Sequence, residues 1–172
     1  LLYEDPLIPL YARDTQGMRF CDFYADLAER FAAFRGQTPA FENLYRFYEA
    51  FARLMAAKCR WRENLPALRA ETAEQGIALA QDCRAEIARC RLAWEALWEQ
   101  VNKPFGYEII DLRLSGLDGR YETTLRKLER LRGGDTAVLA LVREEKLRAL
   151  SDEEGRFYGI GAWSDCVSAC KI

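Results

Sequence analysis

The sequence predicts an all-α fold: a bundle of about five helices, three of them long and antiparallel, behind an extended N-terminal lead-in. Three observations predict it. Apolar residues recur at intervals of three and four along most of the chain, the period of an amphipathic helix. Glycine and proline fall between the periodic runs, where helices end, and no clear strand pattern interrupts them. The connections are short, which places consecutive helices side by side in opposite directions.

The elements follow in order. Residues 1–17 carry Pro6, Pro9 and Gly17 without a helical period and read as an extended lead-in. Phe20, Tyr24, Leu27, Phe31 and Phe34 mark the first helix, and Gly36 followed by Pro39 ends it. The second starts near Phe41 and shows one broad apolar face through Tyr48, Phe51, Met55 and Cys59. Glu42 with Arg46 and Glu49 with Arg53 form i,i+4 pairs on its solvent side. Pro66 breaks or kinks it, because proline cannot donate the helical bond. Thr72-x-x-Gln75 reads as a capping box before the third helix, whose face runs from Ile77 through Cys83, Ile87, Cys90 and Trp94 to Val101. Gly76 falls in its first turn, where a glycine costs little. The residue before Pro104 stops it. Residues 104–116 could form a short strand or lead into a fourth helix, and the helix is favoured by Leu114, Leu117, Tyr121, Leu125, Leu128 and Leu131. Gly133-Gly134 ends that helix. A fifth is expected from about Thr136 to Leu150, then a polar loop from Ser151 to Gly161. Ala162 to Ile172 is expected to form a short terminal helix with Trp163 packed inward.

Composition bounds the function. A chain of 172 residues, half of them hydrophobic, can bury about 70 % of its unfolded surface without staples. The 25 basic residues are interleaved with 27 acids, so no basic field exists to bind nucleic acid. No apolar run is long enough to cross a membrane. There is no histidine, which excludes Ser-His-Asp and Cys-His pairs, His-containing zinc sites and the Glu-x-x-His di-iron motif. Six cysteines remain: Cys21, Cys59, Cys83, Cys90, Cys166 and Cys170. None forms a Cys-x-x-Cys pair, and small buried hydrophobes in a reducing cytoplasm are the expected reading, ahead of a metal site or a disulfide. No cofactor is implied. The chain begins Leu1-Leu2-Tyr3 without Met, and an excised piece of a longer protein is expected.

Several constellations look chemical, but the bland reading wins for most of them. Asp152-Glu153 and Glu154 have polar neighbours and no apolar pocket to raise a pKa, so they read as a solvated loop. The arginines between Arg84 and Arg91 and between Arg126 and Arg132 alternate with acids and read as solvated faces. The aromatic set with Phe31, Phe34, Phe41, Tyr45, Tyr48, Trp94 and Trp98 reads mostly as core. Trp61, flanked by Arg60, Arg62 and Glu63, is the exception and a candidate interface residue. Asn102, Lys103, Pro104, Phe105 and Gly106 place a polar pair, a rigid turn and a glycine at the end of the longest helix, with Asp111 and Arg113 close behind. There a lysine and an arginine can bond the helix-end carbonyls and Asp111 can hold Arg113, which makes the corner a candidate docking site for another domain.

The same residues carry a resemblance. The run W-x-x-x-N-K-P-F-G-x-E-x-x-D-x-R-x-x-G-L, from Trp98 to Leu117, resembles the C-terminal region of bacterial glycoside hydrolase family 20 proteins, the β-N-acetylhexosaminidases. The opening Leu2-Tyr3-Glu4-Asp5-Pro6-Leu7 is similar to the Leu-Tyr-Asn-Asp-Pro-Leu segment that closes that family's catalytic barrel. Glu4 here replaces the Asn, Pro9 stands where Gly is usual, and Ser115 replaces the first of two glycines. The resemblance implies that residues 1–17 are a linker from the end of an absent barrel, with Leu2 to Leu10 as the hinge, and 18–172 the helical C-terminal domain. It implies a parent that removes terminal N-acetylglucosamine or N-acetylgalactosamine by substrate assistance, with an Asp-Glu pair on the barrel. No catalytic residue carries over to this chain. The domain is expected to be inactive alone, to pack on its own upstream barrel and to contribute to a homodimer. A free-standing helical interaction module is the rival.

Overall fold

A computed structural model of the protein describes residues 2–8, 15 and 17–140. These contain four α-helices and no strand: α1 (Phe20–Phe34), α2 (Glu42–Asn64), α3 (Ala73–Val101) and α4 (Tyr107–Arg132). Short 3-10 turns lie at Pro39–Phe41, Leu65–Ala67, Ala70–Thr72 and Thr136–Leu139. Each helix packs on the next one in the chain. The predicted fifth helix is described only over its first residues, which form the 3-10 turn Thr136–Leu139. The expected loop at 151–161 and the tail, with Trp163, Cys166, Cys170 and Asp152 to Glu154, lie outside the described residues.

The helix ends follow from local chemistry. α1 stops where Arg35 turns extended. Glu42 fastens this turn, accepting from the Gly36 N–H at 2.8 Å and from Arg35 Nε at 3.2 Å. Pro66 ends α2 within a 3-10 turn, where its missing N–H is tolerated. The expected capping box does not form at α3. Thr72 Oγ1 instead accepts the Arg69 N–H at 2.9 Å and donates to the Ala67 carbonyl at 3.0 Å, closing the preceding 3-10 turn. Gln75 reaches across to Asn64 Oδ1 at 3.3 Å. α4 ends at Gly133 and Gly134, the second with φ +95°, a left-handed conformation that glycine adopts without a Cβ clash. The Gly133 and Gly134 N–H groups there cap the carbonyls of Glu129 and Leu131.

The core lies between α2, α3 and α4. Leu54 and Trp61 meet Ile77, Cys83, Ile87 and Cys90 of α3 and Leu114, Leu117, Tyr121 and Leu128 of α4. Those α4 positions step by three, four and seven along one face, as the apolar period predicted. Gly76 matters more than its place in the first turn suggests. A Cβ there would lie 2.7 Å from Leu68 Cδ1 and 3.3 Å from Leu128 Cδ2, so α3 approaches α4 through this gap.

Charged side chains stitch the helices together. Arg84 makes a two-pronged bond to Asp118 at 2.7 and 3.0 Å, and Arg132 reaches Glu74 at 2.8 Å. The arginines expected on solvated faces thus include several that cross from α3 to α4. Between α2 and α3, Asn43 donates to Gln100 Oε1 at 3.0 Å and Arg60 faces Asp82 at 3.6 Å. On α2 both expected i,i+4 pairs are present, Arg46 with Glu42 and Arg53 with Glu49. Cys59, Cys83 and Cys90 are buried free thiols, and Cys21 is half-buried and free.

Candidate domain-docking site

The N-terminal segment 2–8 forms turns and bends, without helix or strand, yet it is packed into the bundle. Leu7 joins the core cluster, and Leu2 and Tyr3 pack against it. Glu4 and Asp5 are buried, which demands partners for their charges. Asp5 Oδ1 accepts the Leu7 N–H at 2.8 Å, holding the segment's own turn. Asp5 Oδ2 accepts from Arg120 Nε of α4 at 2.5 Å. From α2, Lys58 Nζ donates to the Glu4 carbonyl at 2.8 Å, and Arg62 lies 4.0 Å from the Glu4 carboxylate. Lys58 is itself buried and sits 5.4 Å from the centre of the Tyr121 ring, which favours its charge. The expected hinge is therefore fastened to two helices, at least over residues 2–8.

Trp61 belongs to the same seat. It is 3 % exposed, so it does not stand at an exposed rim. Its flanking charges gave the wrong signal, because neighbours at i±1 point about 100° away around a helix. The Trp61 indole Nε1 donates to the Pro6 carbonyl at 2.8 Å and its ring meets Tyr121 edge-on at 6.1 Å. Tyr121 is fully buried beside the Cys83 thiol. Burial pushes the phenol well above its ordinary value and Cys83 up to about 11. Cys90 is pushed up to about 12 by burial. These thiols are held in their protonated, unreactive form.

The corner between α3 and α4 is built around Trp98. Its indole Nε1 donates to the Lys103 carbonyl at 2.7 Å, and its carbonyl accepts the Asn102 N–H at 2.8 Å. Gly106 has φ +98°, and a Cβ there would lie 3.2 Å from the Trp98 ring. Its N–H is capped by Glu108 Oε2 at 2.7 Å. Lys103 thus takes part through its carbonyl, while its side chain is exposed. The expected Asp111–Arg113 pair does not form, since residues two apart point to opposite sides of a helix. Asp111 accepts from Arg91 Nε at 2.7 Å and from the Tyr107 hydroxyl at 3.2 Å. Arg91 holds the Asp111 carboxyl below its ordinary value. Arg113 turns the other way, its guanidinium 5.5 Å from the centre of the Tyr3 ring.

The candidate residues therefore resolve into a corner, Asn102 to Gly106, and two contacts to the N-terminal segment, Arg113 to Tyr3 and Trp61 to Pro6. Sequence reasoning did not find Asp5, Lys58 and Arg120. Their only signal was an acidic pair before Pro6 in the lead-in. Beside the corner Phe105 (71 % exposed), just before α4, and Ile109 (55 %) and Leu112 (61 %) on its first turns are exposed apolar side chains that follow one another at intervals of four and three. Among the described residues no three acidic or thiol groups are placed to hold a metal ion, and no helix is long and apolar enough to cross a membrane.

In comparisons with known proteins, the family model described as Glycoside Hydrolase 20C C-terminal domain matches residues 1–158. Searches of curated proteins and of solved structures give no significant match.

Proposed function

The chain belongs to the glycoside hydrolase family 20 C-terminal domain family, and from that premise we propose that it is the non-catalytic helical domain of a β-N-acetylhexosaminidase, packed on its own upstream barrel. One observation carries the reading: the segment that would emerge from the barrel is fastened across α2 and α4, and its Tyr3 meets Arg113 one turn from Ile109. A barrel ending there is brought beside the apolar ridge of Phe105, Ile109 and Leu112, which is exposed among the described residues. Burying such a ridge against a neighbour is favourable by about 25 cal/mol per Å² of apolar surface. The Asn102 to Gly106 corner sets the angle of α4 and so the position of the ridge.

The register of the inter-helix pairs supports an antiparallel bundle. Arg84 pairs with Asp118 and Arg91 with Asp111, so numbers rise along α3 as they fall along α4. The free thiols support a reducing, cytoplasmic setting.

The test is made on the full-length parent. Replacing Phe105, Ile109 and Leu112 together by serine is expected to lower the barrel's thermal midpoint while leaving the isolated domain's stability unchanged. The isolated 172-residue chain is expected to leave a chromogenic N-acetylglucosaminide intact. Hydrolysis by that chain, or a barrel indifferent to the triple substitution, would overturn the reading and favour a free-standing interaction module.

A second role, dimerisation, is supported by three exposed aromatic side chains near the α1–α2 turn: Phe34 and Phe41, which pack on Tyr45, and Tyr48, which stacks on Phe31. Light scattering of the parent and of a Phe34→Ser/Phe41→Ser variant tests it, a dimer reduced to monomer being the expected outcome.

A further inference from the structure

α1 is the most apolar of the four helices and the least covered. Of its 15 residues only Asp22, Asp26, Glu29 and Arg30 are charged, yet Ala28 alone is fully buried. One side packs on α2, where Phe31 stacks on Tyr48 and Phe34 on Tyr45. An amphipathic helix places its apolar face against its neighbours. Here that face runs on past α2: Phe23 is 59 % exposed and Phe34 48 %, with Leu27 half-buried between them. Phe23, Leu27, Arg30 and Phe34 follow one another at intervals of four, three and four, and Asp26 precedes Leu27, so the five share one side of the helix.

The charges on this side are open. Elsewhere along α1 and at its ends Arg19 pairs with Asp22, Glu29 with Arg53, and Arg35 with Glu42. Asp26 and Arg30 are exposed and make no ion pair among the described residues, although their i,i+4 spacing allows one. The acid stands before Leu27 and the base after it, with a phenylalanine beyond each. A stripe of that order is complementary to itself when turned end for end.

We propose that this face of α1 takes the α1 of a second copy, the two helices antiparallel across a two-fold axis at the level of Ala28, so that Phe23 meets Phe34 of the second copy and Asp26 meets its Arg30. The symmetry makes each contact occur twice. A parallel pairing is disfavoured, because it sets Asp26 beside Asp26 and Arg30 beside Arg30. The proposal rests on the dimerising role given above and assigns it a face, an axis and a set of charge pairs.

The test uses the full-length parent and sedimentation equilibrium at low salt. Asp26→Arg and Arg30→Asp, both on the surface and outside the core, are each expected to weaken self-association about tenfold or more, since each sets like charges together twice. Mixing the two variants in equal amounts is expected to restore a dimer, because every pair in the mixed dimer is again opposite in sign. The double variant Asp26→Arg/Arg30→Asp is expected to associate like the parent. Loss of folding does not produce that pattern. A dimer that survives both single reversals would overturn the α1 pairing, as would single variants that do not recover on mixing. If Phe34→Ser/Phe41→Ser still dissociates such a dimer, dimerisation itself stands. A monomeric parent would overturn both, and one whose thermal midpoint falls with Asp26→Arg would put the barrel on this face instead.

Discussion

The Trp61 indole donates a 2.8 Å hydrogen bond to the Pro6 carbonyl, joining residues 55 positions apart inside the core. This bond and the Asp5–Arg120 pair make the N-terminal segment part of the packed bundle. Trp61→Phe keeps a ring against Tyr121 but orphans the carbonyl. It is expected to destabilise the chain by about 1–3 kcal/mol in urea unfolding, with the slope unchanged. Trp61→Ala is expected to cost about 3–5 kcal/mol, because a cavity is added.

The Asp5–Arg120 bond spans 115 positions, and its two ends differ in burial, Asp5 being enclosed and Arg120 half-exposed. Asp5→Asn and Arg120→Met are each expected to destabilise, and the double variant to lose less than the sum. A coupling energy of zero in the double-mutant cycle would show that the two residues act independently.

Gly106, which caps the start of α4, and Gly119, inside that helix, make a matched pair. Gly106 has φ +98° and lies against the Trp98 ring, whereas nothing lies within 4 Å of a Cβ at Gly119. Gly106→Ala is expected to destabilise by about 1–2 kcal/mol through left-handed strain. Gly119→Ala is expected to stabilise by about 0.5–1 kcal/mol by improving helix propensity. Thermal unfolding of the two variants side by side checks both signs.

The Asp111 carboxyl is held below its ordinary value, first by the hydrogen bond from Arg91. A folded-state value below the unfolded one contributes stability that is present above the unfolded value, about 3.9, and is lost as the pH falls through the folded value. The α3–α4 corner is therefore expected to loosen only in acid. An Arg91→Met substitution is expected to move the Asp111 carboxyl resonance, followed by NMR titration, back toward the ordinary value. An unmoved midpoint would refute the assignment of Arg91 as the cause.

Burial pushes the Cys59 and Cys83 thiols up to about 11 and Cys90 up to about 12. In a Cys166→Ser/Cys170→Ser background, a disulfide-exchange reagent near neutral pH is expected to label half-buried Cys21 first. The other three are expected to react only as the chain unfolds, at the rate of global opening.

Much of the local architecture is legible in the sequence. The three-and-four spacing from Phe20 to Phe34 marks α1 to the residue, and Gly133-Gly134 marks the end of α4. Pro104 stops α3 as proline must, and the strand alternative at 104–116 gives way to α4. The Thr72 capping box fails because the hydroxyl has two competing uses, and closing the 3-10 turn at Arg69 wins. Of the candidate site, the corner is legible because Pro104 and Gly106 impose backbone constraints that need no partner. The Asp111–Arg113 expectation fails because it counts sequence distance and ignores helical direction.

Periodicity, glycines and prolines determine the helices, their order and their ends, because those signals act within a few residues through backbone geometry. The W-x-x-x-N-K-P-F-G run points to the family, which the match over residues 1–158 shows. Only the tertiary structure decided which charges are buried and what satisfies them: Asp5 with Arg120, the Glu4 carbonyl with Lys58, and Glu86 with one oxygen left over. A buried charge is stable only where the fold brings a partner from elsewhere in the chain, and no local pattern records how far away that partner lies.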